Sequence, residues 1–259
     1  MTERTGYPDG TPCWVELTTP DTAAASAFYG DLFGWSCEDL SEQTGRYTMC
    51  SVDGRPVAAL TLQTGPSAQP GWNVYLATSD IEVTAAKVEV NGGKLLAPPT
   101  AEPGFGHYAV AADPAGASFG LWQADPFIGS QLHSEPGAMC WHEINTVDGR
   151  AVDAFYRALF GYEQEQIGDG AGFDYTVWQL DGEQVCGRLK MTEEWAGVAP
   201  HWMTYFAVAD CDTAASRVPG LGGELAHGPF DSAYGRMAVV GDPFRAPFTL
   251  CRLPDEQRG

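Results

Sequence analysis

The stretch Cys13-Trp14-Val15-Glu16-Leu17, followed by Phe28-Tyr29-Gly30-Asp31-Leu32-Phe33-Gly34-Trp35, occurs twice in the chain. It returns as Cys140-Trp141-His142-Glu143-Ile144 and Phe155-Tyr156-Arg157-Ala158-Leu159-Phe160-Gly161-Tyr162. Trp14 to Trp141 and Phe28 to Phe155 span the same 127 residues. Further matches extend the repeat: Asp53-Gly54 with Asp181-Gly182, Trp72, Tyr75 and Asp80 with Trp202, Tyr205 and Asp210, Gly92-Gly93 with Gly222-Gly223, and Asp113-Pro114 with Asp242-Pro243. A spacing that drifts so little leaves almost no room for insertions, so the chain is two copies of one unit. The copies divide as residues 1–126 and 138–259, joined by a linker at 127–137 that Gly and Pro punctuate.

Each copy divides again. Trp14 to Thr18 alternates as a strand, Asp21 stands where a helix N-cap belongs, and Ala25, Phe28, Tyr29, Leu32 and Phe33 form a helical stripe that stops at Gly34. Strands are then predicted at 35–40, 46–52 and 57–63, the last two joined by the Asp53-Gly54 hairpin signal. The same order follows from Asn73: a strand to Thr78, a helix begun by Asp80 and ended at Asn91-Gly92-Gly93, and strands at 94–97, 107–111 and 117–123. The prediction is an α+β fold of four βαβββ modules, two per repeat, with the Phe28, Tyr29, Leu32 and Phe33 stripe packed on the outside of the sheet.

Composition narrows the function. The chain has 259 residues, with 14 Lys and Arg against 34 Asp and Glu, a formal charge of −20. Such a surface repels phosphate backbones and anionic headgroups, which excludes nucleic acid and membrane as leading partners. No apolar run reaches the length of a signal peptide or a membrane span, so a soluble cytoplasmic protein is expected. The seven cysteines (Cys13, Cys37, Cys50, Cys140, Cys186, Cys211, Cys251) are odd in number and contain no C-x-x-C pair, so they are expected to be reduced core residues. No charge block or amphipathic tail marks a protein-docking segment, and the oligomeric state stays open.

With its modules in place, the chain resembles the vicinal oxygen chelate superfamily, which includes glyoxalase I, extradiol dioxygenases, fosfomycin resistance enzymes and bleomycin resistance proteins. Trp14 to Asp21, Ala27-Phe28-Tyr29 and Leu32-Phe33-Gly34-Trp35 resemble the opening of a tandem, glyoxalase-like actinobacterial branch. The resemblance implies paired modules whose sheets curl into a cup around a ligand. Which modules pair, one with two or one with four, is left open by the repeat. It also implies metal ligands, usually His on a module's first strand and Glu on its last. Here those positions fall on Trp14, Asn73 and Gly120, and on Trp141, Met203 and Thr249. These are poor donors for a divalent ion, so no metal or other cofactor is expected at the family positions. A relocated ion at Glu16 or Glu143 is the alternative. His142 should face away from Glu143, as a packed or surface residue, and His107, His133, His201 and His227 form no ligand-spaced pair.

Alternation along the opening and closing strands then predicts the cup lining: Trp14, Glu16, Asn73, Tyr75 and Trp122 in the first repeat, and Trp141, Glu143 and Tyr205 in the second. Aromatic faces and carboxylates together suit a planar, cationic small molecule. The leading expectation is a binding protein of the bleomycin-resistance type, sequestering an aromatic metabolite or antibiotic. The alternative is a glyoxalase-like enzyme, a lyase, isomerase or hydroxylase, with Glu16 or Glu143 as base.

Overall fold

The structure, a computed structural model, describes residues 4–40, 47–64, 69–170 and 172–254. The first repeat runs β1 (Pro12–Thr19), α1 (Thr22–Phe33), β2 (Ser36–Asp39), β3 (Tyr47–Val52), β4 (Arg55–Leu62), β5 (Gly71–Ala77), α2 (Ile81–Val90), β6 (Lys94–Glu102), β7 (Gly106–Ala112) and β8 (Ser118–Ala124). The second runs β9 (Met139–Thr146), α3 (Gly149–Phe160), β10 (Glu163–Gly168), β11 (Asp174–Leu180), β12 (Glu183–Lys190), β13 (His201–Ala207), α4 (Cys211–Arg217), β14 (Glu224–Ser232), β15 (Gly235–Gly241) and β16 (Pro247–Arg252). Arg46, the first residue of one predicted strand, lies outside the described residues.

Four Asp side chains start the four α-helices among the described residues. Asp21, Asp80, Asp148 and Asp210 accept from the backbone N–H of Ala24, Val83, Ala151 and Thr213 at 2.9, 3.0, 3.0 and 2.7 Å. Each satisfies an amide that the first helical turn leaves without a partner. α1 and α3 both stop at a left-handed glycine, Gly34 (φ 76°) and Gly161 (φ 78°), where a Cβ would be strained.

Each repeat builds one open eight-stranded sheet, β2-β3-β4-β1-β5-β8-β7-β6 and β10-β11-β12-β9-β13-β16-β15-β14. Module one therefore pairs with module two, and three with four. The seam is the antiparallel pair β1–β5, with Trp14 opposite Tyr75 and Glu16 opposite Asn73, and its counterpart β9–β13, with Trp141 opposite Tyr205 and Glu143 opposite Met203. Both seams carry a one-residue irregularity, at Cys13 and Cys140.

The helices lie between the repeats. Tyr29 and Phe33 of α1 meet Phe248 and Phe206 of the second sheet at ring distances of 5.6 and 5.1 Å, and Phe155 and Tyr156 of α3 meet Phe119 of the first at 6.0 and 5.3 Å. A single apolar cluster thus spans both repeats, and the opposite face of each sheet is left to form a cup.

One cysteine expectation is corrected. Cys37 and Cys50 face each other across β2 and β3 and are joined as a disulfide, with Cα atoms 4.2 Å apart. Antiparallel pairing sets them side by side whatever their separation in sequence. Cys13, Cys140, Cys186, Cys211 and Cys251 are free and buried.

Candidate functional site

The first cup holds a cavity of about 490 Å³, within the ordinary range for a drug-sized ligand. Of the predicted lining, Trp14, Glu16, Tyr75 and Trp122 stand on its wall. Asn73 stands beside it and accepts from the Ser118 hydroxyl at 3.5 Å. Tyr47, Glu102, Phe105, Tyr108 and Phe127 complete the aromatic and acidic surface, together with Thr18, Thr61 and smaller side chains.

The wall is held rigidly. The Trp14 indole N–H donates to the Tyr47 hydroxyl at 2.8 Å, and the Trp122 indole N–H donates to the Phe127 carbonyl at 2.7 Å. Phe127 N–H donates in turn to the Phe105 carbonyl at 2.9 Å. This locks a residue of the linker edge-on against Trp14 and Trp122, with ring centroids 5.0 and 5.9 Å away. Tyr75 donates to Glu16 Oε2 at 3.4 Å. Burial and the nearby Glu16 charge push the Tyr47 and Tyr75 hydroxyls well above the usual phenol range, so at neutral pH both remain hydrogen-bond donors. The charged residues on the wall, Glu16 and Glu102, are both acidic.

The second cup repeats the framework with a different outcome. The Trp141 indole N–H donates to the Tyr175 hydroxyl at 2.8 Å, matching Trp14 and Tyr47. Here, however, Tyr175 and Tyr205 close over Glu143, which is only 6 % exposed. Burial pushes the Glu143 carboxyl up to about 7, although hydrogen bonds from Tyr205 and Tyr175 act in the opposite direction. Two substitutions between the repeats account for the difference. Gly187 opposes Glu143, and the Tyr175 hydroxyl occupies the space a Cβ there would need; the matching residue in the first repeat is Ala59, opposite Glu16. Conversely, the Tyr75 ring lies flat over Gly120, its register partner, whereas the partner of Tyr205 is Thr249, whose side chain denies Tyr205 that space. Tyr75 is drawn back into the first wall, while Tyr175 and Tyr205 both reach the buried Glu143 carboxyl of the second cup.

A metal does not fit the family positions. The single nitrogen of Trp14 is a donor already used by Tyr47, Gly120 has no side chain, and Asn73 is shared with Ser118. Trp141, Met203 and Thr249 are no better donors. Among the described residues, no three His, Cys, Asp or Glu side chains converge to hold an ion. His142 is a buried residue on the face opposite Glu143; its Nε2 lies 3.3 Å from Met139 Sδ, and burial pushes its pKa down to about 3.

Two opposed tandem sheets, each built of paired βαβββ modules around a cup, define a protein class, and sequence comparison agrees. The model of the Glyoxalase/Bleomycin resistance protein/Dioxygenase superfamily matches residues 13–121. "Putative glyoxylase CFP32" of Mycobacterium bovis is 36% identical over 264 residues, covering 99% of this chain and 100% of the relative. The chain belongs to this superfamily. "Anthracycline biosynthesis protein DauV" of Streptomyces sp. (strain C5) is 35% identical, with 96% of this chain and 95% of that protein covered. Among solved structures, the Mn(II)-bound glyoxalase from Novosphingobium aromaticivorans shares the fold at a TM-score of 0.68 and 17% identity, over 98% of this chain and 87% of that one. No helix among the described residues is long and apolar enough to cross a membrane.

Proposed function

We propose that the first cup binds a planar, positively charged aromatic small molecule and holds it without transforming it, through stacking and charge rather than through a metal ion. The observation that carries this is the open cavity itself. Aromatic rings of Trp14, Tyr47, Tyr75, Phe105, Tyr108, Trp122 and Phe127 surround it, and its charged wall residues are two carboxylates. Each stacked aromatic pair contributes about 0.5–1.5 kcal/mol beyond burial, and an ammonium group gains from rings and carboxylates alike. The protonated Tyr47 hydroxyl, which accepts from Trp14, can donate its own proton to a carbonyl of a quinone-like ligand. Kinship with DauV, named for anthracycline biosynthesis, supports a fused-ring ligand bearing an amino sugar.

The test is calorimetric titration with an amino-sugar anthracycline, followed by mass spectrometry of the recovered ligand. Saturable binding that survives EDTA, with unaltered ligand, is the expected result. Absence of binding, or binding that a chelator abolishes, contradicts it.

A second reading is favoured by the contact between Glu16 and the Tyr75 hydroxyl, a carboxylate and a proton donor at the cavity wall. Together with the glyoxylase-named relative, it supports a metal-free lyase or isomerase with Glu16 as general base. Recovery of a converted ligand, lost in Glu16→Gln, selects this alternative.

A further inference from the structure

Near the edge of the second cup, two thiols meet over an alanine. Cys140 is the irregular residue of β9, Cys251 lies on β16, and β13 runs between them with Ala207 as the register partner of Cys251. Cys140, Ala207 and Cys251 form a separate buried cluster, with Met237 packed against it and directly opposite Cys251 on β15. Each thiol donates to a backbone carbonyl, Cys140 Sγ to Tyr205 O at 3.5 Å and Cys251 Sγ to Tyr234 O at 3.9 Å. Ser232 Oγ donates to Met237 Sδ at 3.7 Å.

The strand order decides what such a pair can do. With a strand between them, the two backbones stand about 9–10 Å apart by ordinary sheet spacing. That exceeds the Cα separation a disulfide tolerates, roughly 4.4–6.8 Å. The disulfide pair Cys37 and Cys50, by contrast, sits on adjacent strands. A metal ion inserted between two sulfurs adds two bonds of about 2.3 Å each, which suits thiols that approach from separated strands. Two thiols and a thioether form a soft donor set of the kind that selects a monovalent copper ion.

We propose that Cys140 and Cys251, with Met237 as third donor, form a binding site for a soft, thiophilic metal ion such as Cu(I), separate from the ligand cavity of the first cup. The cation displaces the thiol protons and enters between the two sulfurs; no electron transfer is required. Among the described residues the first repeat has no matching thiol pair, because Trp122 stands at the place of Cys251 beside Cys13.

Anaerobic titration of the full chain, with its Cys37–Cys50 disulfide intact, with Cu(I) in competition with a chromophoric Cu(I) chelator tests the site. One ion per chain is expected, with at least a hundredfold weaker binding in Cys140→Ser and in Cys251→Ser. Met237→Leu should weaken binding about tenfold, and Cys13→Ser should leave it unchanged. A wild-type chain that takes no Cu(I) from the chelator, or a Cys140→Ser chain that binds as tightly as wild type, overturns the proposal. Should the serine variants fail to fold, X-ray absorption of the Cu(I)-loaded wild type decides. A sulfur-only first shell supports the site, and nitrogen or oxygen ligands refute it.

Discussion

The two cups share one plan and differ at their centres: the first holds an open cavity, and in the second two tyrosines close over a buried Glu143. Both place Trp and Glu two residues apart on the opening strand, and both hand the indole proton to a tyrosine on the third module strand, at 2.8 Å in each. The first keeps its centre open because Tyr75 lies over Gly120 and Ala59 stands where its counterpart is glycine. In the second, Gly187 admits the Tyr175 hydroxyl beside Glu143, and Thr249 stands where Gly120 lets Tyr75 lie back. The presence of one side chain or its absence, at two positions, decides where the tyrosines lie on each sheet surface.

The outer faces differ as well, and there the largest effect is expected. Arg188 on β12 is buried between Asp153 and Asp174, at 2.8 and 2.6 Å, where the first repeat has the apolar Leu60 on β4. Arg188→Ala removes the guanidinium from both carboxylates, leaving Asp153 the Trp178 indole N–H and Asp174 the Gln166 amide and Lys190, and should cost about 3 kcal/mol in urea unfolding. Leu60→Ala, by comparison, should cost about 2–5 kcal/mol through cavity formation alone, independent of salt. A salt-insensitive Arg188→Ala loss would remove the electrostatic half of this contrast.

Converting one cup into the other comes next. Gly120→Thr should push the Tyr75 ring into the first cavity and weaken anthracycline binding by a hundredfold or more, about 2.7 kcal/mol. The reverse change, Thr249→Gly, should let Tyr205 retract and expose Glu143 without reducing binding in the first cup. Unimpaired binding by Gly120→Thr, measured calorimetrically, contradicts the role given to that glycine.

Glu143 also makes the second cup sensitive to pH. Its folded-state value of about 7 lies above that of an exposed glutamate, so the folded protein holds the proton more tightly than the unfolded chain does. Stability from this group is therefore fully present below about pH 4.5 and is lost as pH rises toward 7, by up to about 3 kcal/mol. Glu143→Gln should flatten that part of the profile; the measurement is the difference between wild-type and variant unfolding free energies from pH 4 to 8. The smallest effect concerns the shared plan: Asp21→Ala and Asp148→Ala should each cost about 1 kcal/mol by removing an N-cap. Equal losses in the two repeats would mark this as common scaffold.

The modules, their tandem order and the face presented by Trp14, Glu16, Trp141 and Glu143 are legible in the sequence because strand alternation and helix caps are local signals. The residue types at the family's metal-ligand positions are legible for the same reason. Phe127 is not, because it enters the first cup from the linker through bonds to Trp122 and Phe105. Glu102 is hidden differently: Pro98 and Pro99 argue for ending β6 near Ala97, yet β6 is an edge strand, tolerates them with register shifts, and runs on to Glu102. Nor does the linear pattern reveal the Cys37–Cys50 pair, since register between β2 and β3 is a tertiary fact; its presence also removes cysteine usage as an argument for a reducing compartment.

The stoichiometry of ligand binding tests most directly whether one cup is an open cavity and the other is closed over by its tyrosines. Calorimetric titration of the intact chain with an amino-sugar anthracycline should give one site per chain, lost in Gly120→Thr and retained in Glu143→Gln. Two equivalent sites per chain, or one that disappears with Glu143→Gln and survives Gly120→Thr, would contradict that assignment.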